Sequence, residues 1–313
     1  MREWVAEIEE LTSYAVTQPQ AAYAALTQGE MEKWNYLTCI IPDIGDLLAP
    51  LEKAIQDKLL PTIIGRAAIS DDERDLLALP VRLGGLGVPR ADERAQRQFQ
   101  ASLGITGSLV SAILGCSNCN LMAIRCSQSE ARVASRKEAR AIIKEEANVL
   151  RGRLPRKMKK AMELASERGA SAWLTTLPLV EEGFNLHKQA FRDALCLRYG
   201  WDPVRLPSTC ACGSAFTVEH SFSCPHDAFP SIRHDRVRDL TANLLTEVCH
   251  GVEIEPQLQP LTGEQPSGQS AINGDNARQD IKAMGFWGNS RQLTFFDESS
   301  THLPHSIHLT PYA

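Results

Sequence analysis

The sequence predicts an α+β fold, with helices over the first two-thirds, then a small Cys/His loop, one more helix and a few strands. Three observations lead there. Apolar residues recur at helical spacing from the N-terminus to about residue 205, with glycine and proline between the runs. Three cysteines and three histidines then crowd into "STCACGSAFTVEHSFSCPHDAFPSIRHDRVRDL", residues 208–240. Beyond residue 249 the pieces "VEIEPQLQPL", "RQDIKAMGFW" and "RQLTFFD" read as strands.

Composition bounds the possibilities. A chain of 313 residues can bury a sizeable core and is expected to form two domains. Hydrophobic content of 43% with 23% charged residues fits a globular protein. The formal net charge is -5, so any nucleic-acid surface must be local. The N-terminus "MREWVAEIEELTSYAV" is amphipathic and acidic, unlike a signal peptide. No apolar run has bilayer-spanning length, so no membrane partner is expected, and no small-molecule substrate is evident. Nine cysteines, clustered rather than spread, point to a reduced intracellular setting, nuclear or cytoplasmic.

The elements follow in order. Trp4, Val5, Ile8, Leu11 and Ala15 share one face of a first helix. Pro19, Pro42, Pro50 and Pro61 are expected to break the next segment into short helices. Ser70 and Glu73 form a capping box before "RDLLAL". "LPVRLGGLGVP" is a glycine-rich turn. Residues 127–146 are poor in apolar side chains and rich in Ala, Arg, Lys and Glu, which predicts an exposed helix. "RKMKKAMELASERG" is a helix stopped by Gly169, and "GFNLHKQAFRDALCLRYG" one stopped by Gly200. A last helix runs from about Ser231 to Cys249, and "TGEQPSGQSAINGDNA" is a loop.

The Cys/His stretch carries the most specific chemistry. Cys210 and Cys212 stand one residue apart and are followed by Gly213. His220 and Cys224 are four apart, one helical turn. The set C-x-C-x7-H-x3-C can close a tetrahedral zinc site, and a small loop without a core needs a structural Zn2+ to hold its shape. The alternative is a few buried thiols beside surface histidines; the two paired spacings favour the metal. His226 is a substitute ligand. Cys116, Cys119 and Cys126 form a second cluster without a histidine at ligand spacing and read as non-metal.

Two basic features follow. Arg233, His234, Arg236 and Arg238 gather near the start of the last helix, where free N–H groups and the dipole suit phosphate. Arg151, Arg153, Arg156, Lys157, Lys159 and Lys160 form a second block, "RGRLPRKMKK". Each also suits a solvated face; composition favours that reading for the second block and does not decide for the first. Val237, Leu240, Leu244 and Val248 make an apolar stripe on the last helix.

The order of short motifs adds a family. "CACGSAFTVEHSFSCPHDAFPSIRHDRVRDLTANLLTEVCH", "IEPQLQPLTGE", "ARQDI", "GFWG" and "FFD" resemble the C-terminal part of non-LTR retroelement polyproteins. "QPQAAYAALTQGEMEKWNYL", "DLLALPVRLGGLGVP", "AMELASERGASAWLTTLPL" and "AFRDALCLRYGW" resemble the helical region after the polymerase in the same proteins. The resemblance covers residues 1–297. It implies a thumb-like segment over residues 1–90, a helical linker over 91–205 and a CCHC zinc knuckle over 206–230. A truncated restriction-endonuclease-like α/β domain over 231–297 and an unpacked tail over 298–313 complete it.

The resemblance also sets expectations for activity. No Tyr-x-Asp-Asp pair is present, so the polymerase palm is expected to lie upstream of Met1. Asp280 matches the family's first endonuclease acid and Asp297 the second, with Glu247 as an accessory ligand; Mg2+ is relevant only if that site is functional. The family continues after its second acid with a Val-Arg-Val strand and a lysine-rich helix. Here "ESSTHLPHSIHLTPYA" follows, with no lysine after Lys282. Re-reading codons for residues 300–305 in a shifted frame gives Phe-Asn-Pro-Leu-Ala-Pro, similar to the family's continuation, so a frame slip after Asp297 is expected. The resemblance therefore leaves three readings. The chain is a non-catalytic module binding DNA or RNA, a remnant without selected function, or an active Mg2+ nuclease, which the missing basic group argues against.

Overall fold

The computed structural model describes residues 1–115, 120–204, 206–224, 226, 229–256, 279–287, 292–296 and 310–311. The chain is mostly helical with one small antiparallel sheet. It divides into two units, Met1–Arg205 and Leu206–Ala313, where the sequence changes character. Among the described residues no helix is long and apolar enough to cross a membrane.

The first unit begins with α1 (Arg2–Ala15), α2 (Pro19–Ala25), α3 (Met31–Ile40), α4 (Gly45–Ala54) and α5 (Leu60–Ile64). The expected breaks at Pro50 and Pro61 do not occur. Pro50 lies inside α4, and a π-turn at Ile55–Leu59 runs directly into α5, where Pro61 occupies the first turn. The wider turn accommodates a ring where an N–H would stand. A second π-turn, Leu26–Glu30, joins α2 to α3. These helices bury Ile8, Leu26, Leu48, Leu51, Leu59 and Leu60 together.

The capping box forms as expected at α6 (Asp71–Ala78): the Ser70 hydroxyl accepts from the Glu73 N–H, and the Glu73 carboxylate accepts from the Ser70 N–H. Then come α7 (Ala91–Ile113), α8 (Leu121–Arg153), α9 (Arg156–Ala165), the single turn α10 (Ala172–Thr175) and α11 (Lys188–Tyr199). Helix α9 ends at Ala165, before the expected stop at Gly169, because the Ser166 hydroxyl returns to the Met162 carbonyl at 2.7 Å. Helix α11 ends at Gly200 as the sequence predicts. The expected boundary at residue 90 separates no cores. Ala91 and Ala95 of α7 are buried with Leu48, and Phe191 and Tyr199 of α11 join the same cluster.

The glycine-rich turn is fastened to that core. Tyr23 Oη donates to the Leu86 carbonyl at 2.7 Å, and Arg198 Nη2 donates to the carbonyls of Val81 and Gly85 at 3.1 and 3.0 Å. Arg74, fully buried, donates to the Val88 carbonyl at 2.7 Å and to both carboxylate oxygens of Glu52 at 2.7 and 3.0 Å. A Cβ on residue 85 would stand 1.9 Å from the Leu79 carbonyl oxygen, so only glycine lets the turn close this tightly.

The second unit contains α12 (Val218–Ser223), α13 (Phe229–Val248) and a sheet of β1 (His250–Ile254), β2 (Ile281–Met284), β3 (Leu293–Phe296) and β4 (Thr310–Pro311). The order is β1-β2-β3-β4, antiparallel throughout, and Ile281 pairs with Phe296. Thr310–Pro311, inside the tail expected to be unpacked, pairs with β3; its other residues, like the predicted 262–277 loop, lie outside the described ones. The cluster beneath α13 is Ala242, Leu245, Cys249, Ile281, Ala283 and Phe296. The predicted apolar stripe is not its packing face. Val237, Leu240, Leu244 and Val248 are 48, 60, 56 and 72% exposed, because the helix meets the sheet through Ala242, Leu245 and Cys249 on another face.

Candidate metal centre

The ligand loop begins as a tight hairpin. Thr209 and Ala215 form an isolated antiparallel bridge, the Cys210 N–H donates to the Ser214 carbonyl at 2.9 Å, and the Gly213 N–H donates to the Cys210 carbonyl at 2.9 Å. Gly213 closes the turn at φ +86°, a conformation that costs an L side chain. The hairpin places Cys210 and Cys212 at one end. The other two ligands come from α12. The Thr217 hydroxyl caps that helix by accepting from the His220 N–H at 3.0 Å. His220 then lies in the helix, and Cys224, nearly fully buried, follows its last residue.

The four side chains converge. Cys210 Sγ and Cys224 Sγ are 3.6 Å apart, and Cys212 Sγ and His220 Nε2 are 3.2 Å apart. All four ligand atoms lie within 4.8 Å of one another. A tetrahedral ion with bonds of about 2.0–2.3 Å needs ligand–ligand edges of about 3.5–3.8 Å. The cluster therefore fits such an ion with small adjustments. It can hold a metal ion and is compatible with zinc. Among the described residues it is the one His/Cys/Asp/Glu group close enough to do so. His226 is exposed and stands outside it.

Electrostatics inside the cluster is uneven. Hydrogen bonds from the Ser214 side chain and backbone hold the Cys212 thiol down to about 6, against partial desolvation. At Cys210 the Cys212 N–H favours the thiolate, but desolvation and the neighbouring thiols of Cys224 and Cys212 outweigh it and push the group up. Thiols this close share protons that a bound cation would displace. Ser214 was not singled out in the sequence; a serine directly after Cys-x-Cys-Gly is the signal that could have found it.

The basic quartet does not act as one patch. Arg238 is engaged by Asp235, Asp239 and Glu255. His234 Nε2 lies 3.0 Å from Asp280 Oδ1. Arg233 stacks over the Phe222 ring of α12, 5.6 Å from its centroid, and Arg236 is exposed. In the second block Arg153 pairs with Asp72 and Asp75, and Lys157 with Asp202 at 2.7 Å.

The remnant acids are also placed only in part. Asp280 immediately precedes β2 and is tied to His234. Lys282 on β2 pairs with Glu253 on β1, and Glu247 is exposed on α13. Asp297 lies outside the described residues, as do Cys116 and Cys119; Cys126 is exposed on α8. Comparison with protein-family models, with curated proteins and with solved structures finds no match to this chain.

Proposed function

We propose that this chain is a retroelement-derived, reverse-transcriptase-like fragment that works as a non-catalytic, zinc-dependent nucleic-acid-binding module. The convergence of Cys210, Cys212, His220 and Cys224 carries the reading. Zn2+ bound there fastens the hairpin to α12 and so fixes Phe222, on which Arg233 rests. Arg233 and the exposed Arg236 then meet phosphate, while His234 and Arg238 hold α13 to its neighbours. The involvement of Asp280 with His234 supports a binding role over a nuclease role, since a Mg2+ ligand must turn its oxygens to the ion.

The test combines metal analysis with salt-dependent binding to labelled DNA and RNA. Purified protein is expected to carry one Zn2+, lost in the Cys210→Ser/Cys212→Ser variant. Arg233→Ala with Arg236→Ala should shallow the slope of log K against log salt by roughly one to two. Equal zinc in both proteins removes the metal reading. Mg2+-dependent cleavage that disappears in Asp280→Ala removes the non-catalytic one.

A further inference from the structure

Helix α8 carries a second surface that the metal unit does not explain. It runs 33 residues, Leu121–Arg153, and most of its length is exposed. At 100° per residue, Arg125, Arg132, Arg136, Arg140 and Lys144 fall within one sector of about 120°. All five are exposed, and none has an ion-pair partner among the described residues. The helix's acids, Glu130, Glu138, Glu145 and Glu146, all lie outside that sector. Glu146 is turned toward α7, where it holds Arg97 at 2.6 Å.

This segregation is unusual for a solvated helix. An exposed helix of Arg, Lys and Glu ordinarily interleaves its charges at i,i+4, because each such pair adds a few tenths of a kcal/mol. Here Arg132, Arg136, Arg140 and Lys144 follow one another at that spacing, so like charges face each other along the row. The arrangement weakens the isolated helix by a few tenths of a kcal/mol per pair and would be relieved by a bound anion. The chain's formal charge is -5, so this local stripe opposes the average of the whole.

We propose that the α8 stripe is a nucleic-acid backbone-binding surface that takes a duplex. From Arg125 to Lys144 the row is about 28 Å long and straight, and i,i+4 charges repeat about every 6 Å. A straight, closely spaced row of positive charges suits the fixed, dense phosphate array of a rigid duplex. The sector also holds Met122, Cys126, Ser129 and Val133, and beyond Arg140 it turns Ile143, Ala147 and Leu150 to the core, but it has no aromatic residue. It therefore has no ring on which unstacked bases could rest, which separates it from a single-strand platform. It also lacks the broad apolar face and aromatic anchors of a helix lying in a lipid surface. The inference rests on the reading above only for the class of partner, since α8 and the metal cluster belong to different units.

The experiment uses the full, zinc-loaded chain and a labelled 20-base-pair duplex. Five phosphate contacts give a salt slope near -4.5 from this surface alone. Arg132→Gln/Arg136→Gln/Arg140→Gln should shallow the measured slope by about 2.7 and leave zinc content unchanged. Glutamine keeps helix propensity, and circular dichroism checks the fold. Arg132→Lys/Arg136→Lys/Arg140→Lys should restore the slope, because charge and not shape is read. A glutamine variant that binds the duplex with the parent's slope overturns the proposal, even where the Cys210→Ser/Cys212→Ser variant loses binding and the metal reading stands. Anionic phosphatidylserine vesicles that bind the parent as tightly as the duplex at equal salt also overturn it, in favour of a membrane surface.

Discussion

The two units bury apolar side chains on different scales. In Met1–Arg205 one cluster runs from Ile8 to Trp201 and takes in every major helix. In Leu206–Ala313 the described cluster has six members, and Ala242 and Ala283 are two of them. Among the described residues that is a small burial to set against the chain entropy of a hairpin, two helices and a sheet. The second unit also has the Cys3His set, which could hold a metal ion. If it does, the two units draw on different sources of order: burial in the first, ligation in the second. The contrast predicts that the two units fail under different insults.

Metal removal should show the largest difference. Structural zinc contributes on the order of 10 kcal/mol to small folds of this kind. Chelation, or Cys210→Ser with Cys212→Ser, is expected to unfold the hairpin and α12 while the first unit keeps its helical signal and its own melting transition. Hydrogen exchange resolves the two: protection should vanish around Gly213 and His220 and persist at Leu51 and Ile63. Equal loss of protection in both units breaks the contrast.

The reverse insult is an unpaired charge in the first core. Arg74 is fully buried, bidentate on Glu52, and bonded to the Val88 carbonyl. Glu52 in turn accepts from the Ala91 N–H at 3.2 Å. Arg74→Ala leaves the buried Glu52 carboxylate with only Arg90 Nη1, at 3.7 Å, as a cationic neighbour and should cost the first unit about 3 kcal/mol, read as a lower urea midpoint. Replacing both, Arg74→Met with Glu52→Leu, should cost much less, since no charge is then stranded. Zinc content should not move in either variant.

The same contrast explains what the sequence could and could not tell. Helices in the first unit were legible because large apolar residues recur at helical spacing and pack on one another, as Leu48, Leu51 and Ile55 do. The prolines misled because rules for a lone helix ignore neighbours: Pro50 and Pro61 sit inside a helical segment held by buried Leu51, Leu59 and Leu60. The ligand set was legible because a metal fixes residue type and spacing together. The face of α13 was not. Val237, Leu240, Leu244 and Val248 make one stripe, but the helix packs through Ala242, Leu245 and Cys249, about 130° round its axis. Periodicity marks a face only when the apolar residues share one; on α13 they fall on two, and the sheet takes the one with fewer of them. Asp235, three residues before Arg238, and Asp239, next to it, were legible as its partners, but spacing could not show that Glu255 would reach it from beyond β1.

The smallest effect concerns the α6 cap, where the first unit depends on a charge at its surface. Burial pulls the Glu73 carboxyl upward, but the Ser70 N–H, the Arg66 guanidinium and the Ser70 hydroxyl outweigh it, so the group lies below its ordinary 4.5. Arg66 Nη1 stands 2.6 Å from Glu73 Oε1. A carboxyl whose folded value is depressed adds stability above its unfolded value, and that addition is lost as pH falls from about 4.5 through the folded value. Glu73→Gln keeps a capping side chain but removes the charge, so it should destabilise the first unit by about 0.5–1 kcal/mol at pH 7. The gap between the two proteins should close as pH drops well below 4.5, where the parent's carboxyl is protonated as well. Ser70→Ala removes the hydroxyl that accepts from the Glu73 N–H and should cost about 1 kcal/mol at either pH. Urea midpoints at pH 7 and pH 3 separate the two effects. A Glu73→Gln deficit that persists undiminished at pH 3 would mean that the side chain acts through shape, not charge, and that the Arg66 contact contributes nothing to the cap.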